Sequence, residues 1–120
     1  MEKKILLVDD AAFMRMMLKD TLNKNGYTNI IEAADGEIAC NMYKDEKPDL
    51  IIMDITMPNK SGIDALRDIK AMDPNSKIIM CSAMGQESMV VEAIKLGALD
   101  FIVKPFKPER ILQIVNKILS

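Results

Sequence analysis

The sequence contains no histidine and no tryptophan. Without histidine there is no Ser-His-Asp or Cys-His catalytic set, no His-ligated zinc and no simple imidazole switch near neutral pH. Cysteine is scarce: Cys40 and Cys81 stand far apart and form no CxxC pair. They read as small buried hydrophobes in a reducing compartment, not as a disulfide or redox couple. Basic excess is also missing, with 16 Lys+Arg against 18 Asp+Glu and a formal net charge of −2. That balance argues against nucleic acid as a partner. No apolar run approaches the roughly 18 residues of a membrane span. The charged start, Met1 to Lys4, and the short apolar run behind it do not make a secretion signal. A cytoplasmic protein with no membrane partner is expected.

What is present is ordinary globular composition: 120 residues, 49% hydrophobic and 28% charged. A chain of this length should bury roughly two thirds of its unfolded surface. One domain over residues 1–120 is expected, acting as a monomer.

Short β-like runs alternate with longer helical stretches. The runs fall at 4–8, 29–33, 50–53, 77–81 and 98–103. The run at 50–53 is four consecutive apolar residues between Asp49 and Asp54, which suits a strand buried on both faces of a parallel sheet. Helical spacing covers 11–25, 36–45, 62–72, 85–96 and 108–119. In the first helix the apolar set is Phe13, Met14, Met17, Leu18 and Leu22, and Asn25-Gly26 stops it. In the last, Ile111, Ile114, Val115, Ile118 and Leu119 follow the i, i+3, i+4, i+7, i+8 stripe. The fourth helix is unusual. Its apolar residues span an arc of roughly 220° at 100° per residue, whereas a core stripe needs little over 100°. The surplus is either a partner surface or is covered by neighbouring helices. Five βα units imply an α/β fold with a parallel sheet, right-handed crossovers and helices on both faces.

In open parallel sheets ligands bind at the carboxyl ends of the strands. Asp9 and Asp10 follow the first strand, Asp54 the third, Ser82 the fourth and Lys104 the fifth. Each has an ordinary reading by itself. Asp9-Asp10 could form a turn and helix cap, Asp54 a turn, Ser82 a cap, and Lys104 a solvated surface charge. Their joint occurrence points to chemistry. At ~5 Å and an effective dielectric of ~20, each carboxylate pair repels by about 3 kcal/mol, so a cation must offset them. Oxygen ligands without imidazole or thiolate favour a hard divalent cation, Mg²⁺ foremost. With a hydroxyl and an ammonium added, the set suits a tetrahedral phosphoryl group attacked in line by a carboxylate.

At these residues the chain resembles the receiver domains of two-component response regulators. The resemblance rests on Asp9-Asp10, on Asp54 through Met57-Pro58 to Gly62, on Cys81-Ser82-Ala83 and on Lys104-Pro105-Phe106. It implies a flavodoxin-like five-stranded parallel sheet of order 2-1-3-4-5, an order the general rule for such sheets already associates with this family. It implies that Asp54 accepts phosphoryl from a histidine kinase, with Asp10, Asp54 and the Thr56 backbone carbonyl ligating Mg²⁺ and Asp9 acting through water. Lys104 and Ser82 would contact the phosphoryl group, Phe101 would be the switch aromatic, and the Lys104-Pro105 bond would be cis. The likeness is strongest to the stand-alone chemotaxis regulators of the family. That implies a chemotaxis histidine kinase upstream and a flagellar motor switch protein downstream, with signalling and no substrate turnover of its own. Met84, two residues beyond Ser82, has no amide or carboxylate to orient a water. Slow self-dephosphorylation and an auxiliary phosphatase are therefore expected. Two other readings share the site. One is a phosphorelay intermediate that passes phosphoryl to another His domain. The other is a Mg²⁺-dependent phosphatase with an aspartyl nucleophile, which usually needs an acid two residues on, where Thr56 stands. No GxGxxG or Walker A stretch supports a nucleotide site.

Overall fold

The structure is a computed structural model that describes residues 2–120; Met1, part of the charged start, lies outside the described residues. Five strands alternate with five helices: β1 (Ile5–Val8), α1 (Ala12–Asn23), β2 (Ile30–Ala33), α2 (Gly36–Glu46), β3 (Leu50–Asp54), α3 (Gly62–Met72), β4 (Ile78–Ser82), α4 (Glu87–Lys95), β5 (Asp100–Val103) and α5 (Pro108–Leu119). The strands form one sheet in the order β2-β1-β3-β4-β5, and every neighbouring pair is parallel. This is the flavodoxin-like order that the resemblance implied. The Lys104-Pro105 bond is cis, as the resemblance implied.

The two-residue period of the strands divides the core. Leu6, Val8, Ile51, Met53, Ile78 and Met80 face α2, α3 and α4, where they meet Tyr43, Leu66, Ile69 and Ala93. Ile5, Leu7, Leu50, Ile52, Ile79, Cys81 and Ile102 face α1 and α5, where they meet Leu18, Leu22, Ile111, Ile114 and Val115. Because β1, β3 and β4 are buried on both faces, each reads as an unbroken apolar run. Both cysteines are free and buried, and burial raises both thiol pKa values, which makes them inert packing residues. Among the described residues no helix is long and apolar enough to cross a membrane.

Three details depart from the sequence reading. In α1 only Leu18 and Leu22 are buried; Phe13 is 63% and Met17 40% exposed. The helix meets the twisted sheet along a narrower stripe than its apolar content offers. The fourth helix begins at Glu87, not at 85, because Gly85 takes a positive φ of 89° that ends any helical continuation backwards. Among the described residues part of its apolar surplus stays uncovered: Ala93 is buried and Val90 and Leu96 pack against the core, but Met89, Val91 and Ile94 are exposed. Finally, Asp54 and Ser82 are the last residues of their strands instead of following them, and β5 starts at Asp100.

Candidate functional site

Strand register and side-chain alternation assemble the acidic rim. Val8 pairs with Met53 on the adjacent strand, so Asp9 is level with Asp54. Asp9 continues the alternation of Ile5 and Leu7, Asp54 that of Leu50 and Ile52, and Lys104 that of Ile102, all residues of the α1–α5 side. Three chemically active side chains at the ends of three strands are thus directed to one side of the rim. Lys104 reaches over β4 and donates from Nζ to Asp54 Oδ2 at 2.9 Å and to Asp9 Oδ2 at 3.0 Å. Both carboxylates are buried, Asp9 2% and Asp54 8% exposed. Asp10 is exposed, and carboxylate oxygens of Asp9, Asp10 and Asp54 lie within 4.8 Å of one another.

The electrostatics follow from this packing. Burial pushes the Asp54 carboxyl above its ordinary pKa. The Lys104 hydrogen bond and charge pull it back, and the Asp9 charge adds to the rise. For Lys104, burial works to lower the ammonium pKa, but the hydrogen bonds to Asp54 and Asp9 and their charges outweigh it and the net shift is upward. Lys104 is therefore a fixed cation. It supplies part of the compensation that clustered carboxylates require, while one positive charge against three carboxylates leaves the rim acidic.

Loop residues hold this arrangement. Asp9 Oδ1 accepts from the Ala11 N–H at 2.9 Å, and Arg15 donates to the Asp9 carbonyl and, at 3.0 Å, to Glu32. Asp9 thus forms a turn, but the N-cap of α1 is Ala11, with no side-chain capping bond. Asp35 caps α2 through the Ile38 N–H and also accepts from Asn59 in the β3–α3 loop. Those two bonds, led by Ile38, hold its pKa below the ordinary carboxylate value.

Each residue singled out in the sequence has a definite place. Asp9, Asp10, Asp54 and Lys104 converge. Ser82 is buried at the end of β4, whose neighbour Cys81 pairs with Asp54. Thr56 is exposed just past Asp54, with its hydroxyl accepting from Gln86 at 2.9 Å. Phe101 is half-buried on β5 and lines an apolar groove of about 530 Å³ with Val90, Val91 and Ile94 of α4. Sequence reasoning did not find Arg15, Asp35 or Gln86. Asp35 carried a legible capping signal ahead of Gly36; Arg15 and Gln86 act through long-range contacts that no local pattern announces.

A five-stranded parallel α/β sheet with an acidic triad and a lysine at its carboxyl rim defines a receiver-type module, and comparison with known proteins agrees. The family model for the response regulator receiver domain matches residues 5–116, and the chain belongs to that family. It is 59% identical over 118 residues to the chemotaxis protein CheY of Thermotoga maritima, covering 98% of each chain. It is 58% identical over 120 residues to the CheY of Bacillus subtilis, covering 100% of each. Among solved structures, the receiver domain of NtrX from Brucella abortus superposes with a TM-score of 0.90 at 32% identity, covering 96% of this chain and 97% of that one.

Proposed function

We propose that this chain is a cytoplasmic chemotaxis response regulator. It takes phosphoryl from a histidine kinase onto Asp54 in a Mg²⁺-dependent reaction and signals to a flagellar motor switch protein. The observation that carries the chemistry is the Asp9–Asp54 pair, level on adjacent strands and bridged by one ammonium, with Asp10 beside it. The partner assignment is supported by identity to the CheY proteins over their whole length.

The donor set fits Mg²⁺: it is all oxygen, it is net negative even with Lys104 in place, and exposed Asp10 leaves one side open to water ligands. Asp10, Asp54 and the Thr56 carbonyl would hold the ion, with Asp9 acting through water. When bound, the ion neutralises oxygens of the transferring phosphoryl group. The Asp54 carboxylate oxygen forms the new bond to phosphorus as the donor's P–N bond breaks, and the electron pair leaves with the imidazole nitrogen. Lys104 stabilises the equatorial charge, and Ser82 donates its hydroxyl to the transferred group. With Ser82 drawn toward the phosphoryl group, the Phe101 ring turns inward and reshapes the apolar α4 groove, the face offered to the motor protein.

Incubation with radiolabelled acetyl phosphate tests this reading. In excess Mg²⁺ the protein should acquire up to one hydroxylamine-labile phosphoryl group per chain. Chelation with EDTA should lower the rate by about 100-fold or more, the size expected for losing one strong electrostatic stabiliser. Equal labelling with and without EDTA contradicts it.

A further inference from the structure

Gln86 sits between two loops of the site and bonds to both. Its Oε1 accepts from the Ala83 N–H at 2.7 Å, and its Nε2 donates to Thr56 Oγ1 at 2.9 Å. The amide orientation is fixed by chemistry, because a backbone N–H can only donate. Gln86 is also the N-cap residue of α4, yet its side chain makes no capping bond, having folded backwards instead. The positive φ of Gly85 creates the turn that allows this.

The Ala83 N–H is available for a reason written in the sheet. Along β4, the Cys81 carbonyl points to β3, where it accepts from the Ile55 N–H at 3.0 Å, and the Ser82 carbonyl points to β5, where it accepts from the Lys104 N–H at 2.8 Å. By the same alternation the Ala83 N–H faces β3. The next ladder acceptor there is the Ile55 carbonyl, but it is engaged by the Gly62 N–H at 2.7 Å. The ladder ends one donor short, on the side of Asp54, and Gln86 takes that donor.

A phosphoryl group on Asp54 brings three strong acceptor oxygens to this rim. We propose that Gln86 is a latch for the unmodified state: it holds the Ala83 N–H, a ladder donor facing β3 just past the Cys81–Asp54 pair, and gives it up when those oxygens compete for it. This inference rests on the reading of Asp54 as phosphoacceptor. Release of the Ala83 N–H also frees Thr56 and the side chain of Gln86 itself, the N-cap residue of α4, which couples occupancy of the site to the helix that carries the apolar groove. Gln86 is a positioning residue, acting through Ala83 and Thr56.

The test is the affinity for beryllofluoride, a phosphoryl mimic that binds carboxylate oxygen, measured in excess Mg²⁺. A latch competes with the mimic, so Gln86→Ala should bind it roughly two- to tenfold more tightly, the range of one net hydrogen bond. Gln86→Glu, whose carboxylate accepts the N–H more strongly, should bind more weakly than wild type. A residue that only braces the loops would give the opposite sign for alanine. In the wild-type protein, the Gln86 side-chain amide resonances should move to solvent-exposed positions at saturation, a readout that needs no variant. Equal or weaker binding by Gln86→Ala, or unmoved Gln86 resonances at saturation, overturns the latch and leaves Asp54 as phosphoacceptor intact. Failure of the wild type to bind the mimic overturns that reading, and the latch with it.

Discussion

Asp54→Asn is expected to abolish phosphoryl labelling and, in the same molecule, to raise the melting temperature of the metal-free protein. The first effect follows from removing the nucleophilic oxygen: an amide cannot form the acyl phosphate, so labelling should fall to background. The second follows from burial. Asp54 is 8% exposed, its pKa stands above the ordinary 3.8 because of desolvation, and the neighbouring Asp9 charge opposes its ionisation further. The unfolded chain keeps the ordinary value. The folded state therefore holds its proton more tightly, and the ionised form costs stability at neutral pH. That cost disappears as pH falls through the raised pKa and is gone below about 3.8. Thermal melts in EDTA should show the Asn variant above wild type at pH 7, each 1 kcal/mol moving the midpoint by roughly 4 °C in a domain this size. The gap should close in acid. A variant less stable than wild type at pH 7 would show that the Lys104–Asp54 pair outweighs the burial cost.

Gly62→Ala should be among the most damaging single methyl additions in the chain. A Cβ at Gly62 would lie 2.0 Å from the Asp54 carbonyl oxygen and 2.9 Å from both the Asp54 carbonyl carbon and the Ile55 Cα. All three are backbone atoms at the buried end of β3, so no side chain can swing aside. The N-terminus of α3 would have to lift away, breaking the Gly62 N–H bond to the Ile55 carbonyl. Overpacking typically costs 1–3 kcal/mol, and a clash with rigid backbone belongs at or beyond the top of that range, about 3–5 kcal/mol. Because the strained atoms belong to Asp54 and its neighbour, the residual folded protein should also label more slowly. Urea unfolding measures the first effect; an unfolding free energy within about 0.5 kcal/mol of wild type would show that α3 docks with enough slack to absorb the methyl group.

Much of this site could be read from sequence because parallel sheets make side-chain direction a matter of counting. Asp9, Asp54 and Lys104 each follow an apolar run at the parity that brings them to one side of the rim, and the β1–β3 register does the rest. The sheet order itself came from the family resemblance at those same residues, since strand alternation alone does not rank the strands. Helix faces were less legible. The periodicity of α1 could not say that Phe13 and Met17 point outward, because exposure depends on how closely the helix meets the twisted sheet. Gln86 was invisible for a different reason: its partners Ala83 and Thr56 meet only after β3 and β4 have paired. The apolar surplus of α4 was visible in the sequence, and only the fold showed that Met89, Val91 and Ile94 stay exposed.

The most direct test of the central claim is to locate the phosphoryl group chemically. Borohydride reduction of the labelled protein converts an aspartyl phosphate to homoserine, and mass spectrometry of the peptides places it. The geometry predicts homoserine at position 54 alone, formed only when Mg²⁺ was present during labelling. Homoserine at position 9 or 10, or at any aspartate outside this rim, would contradict it.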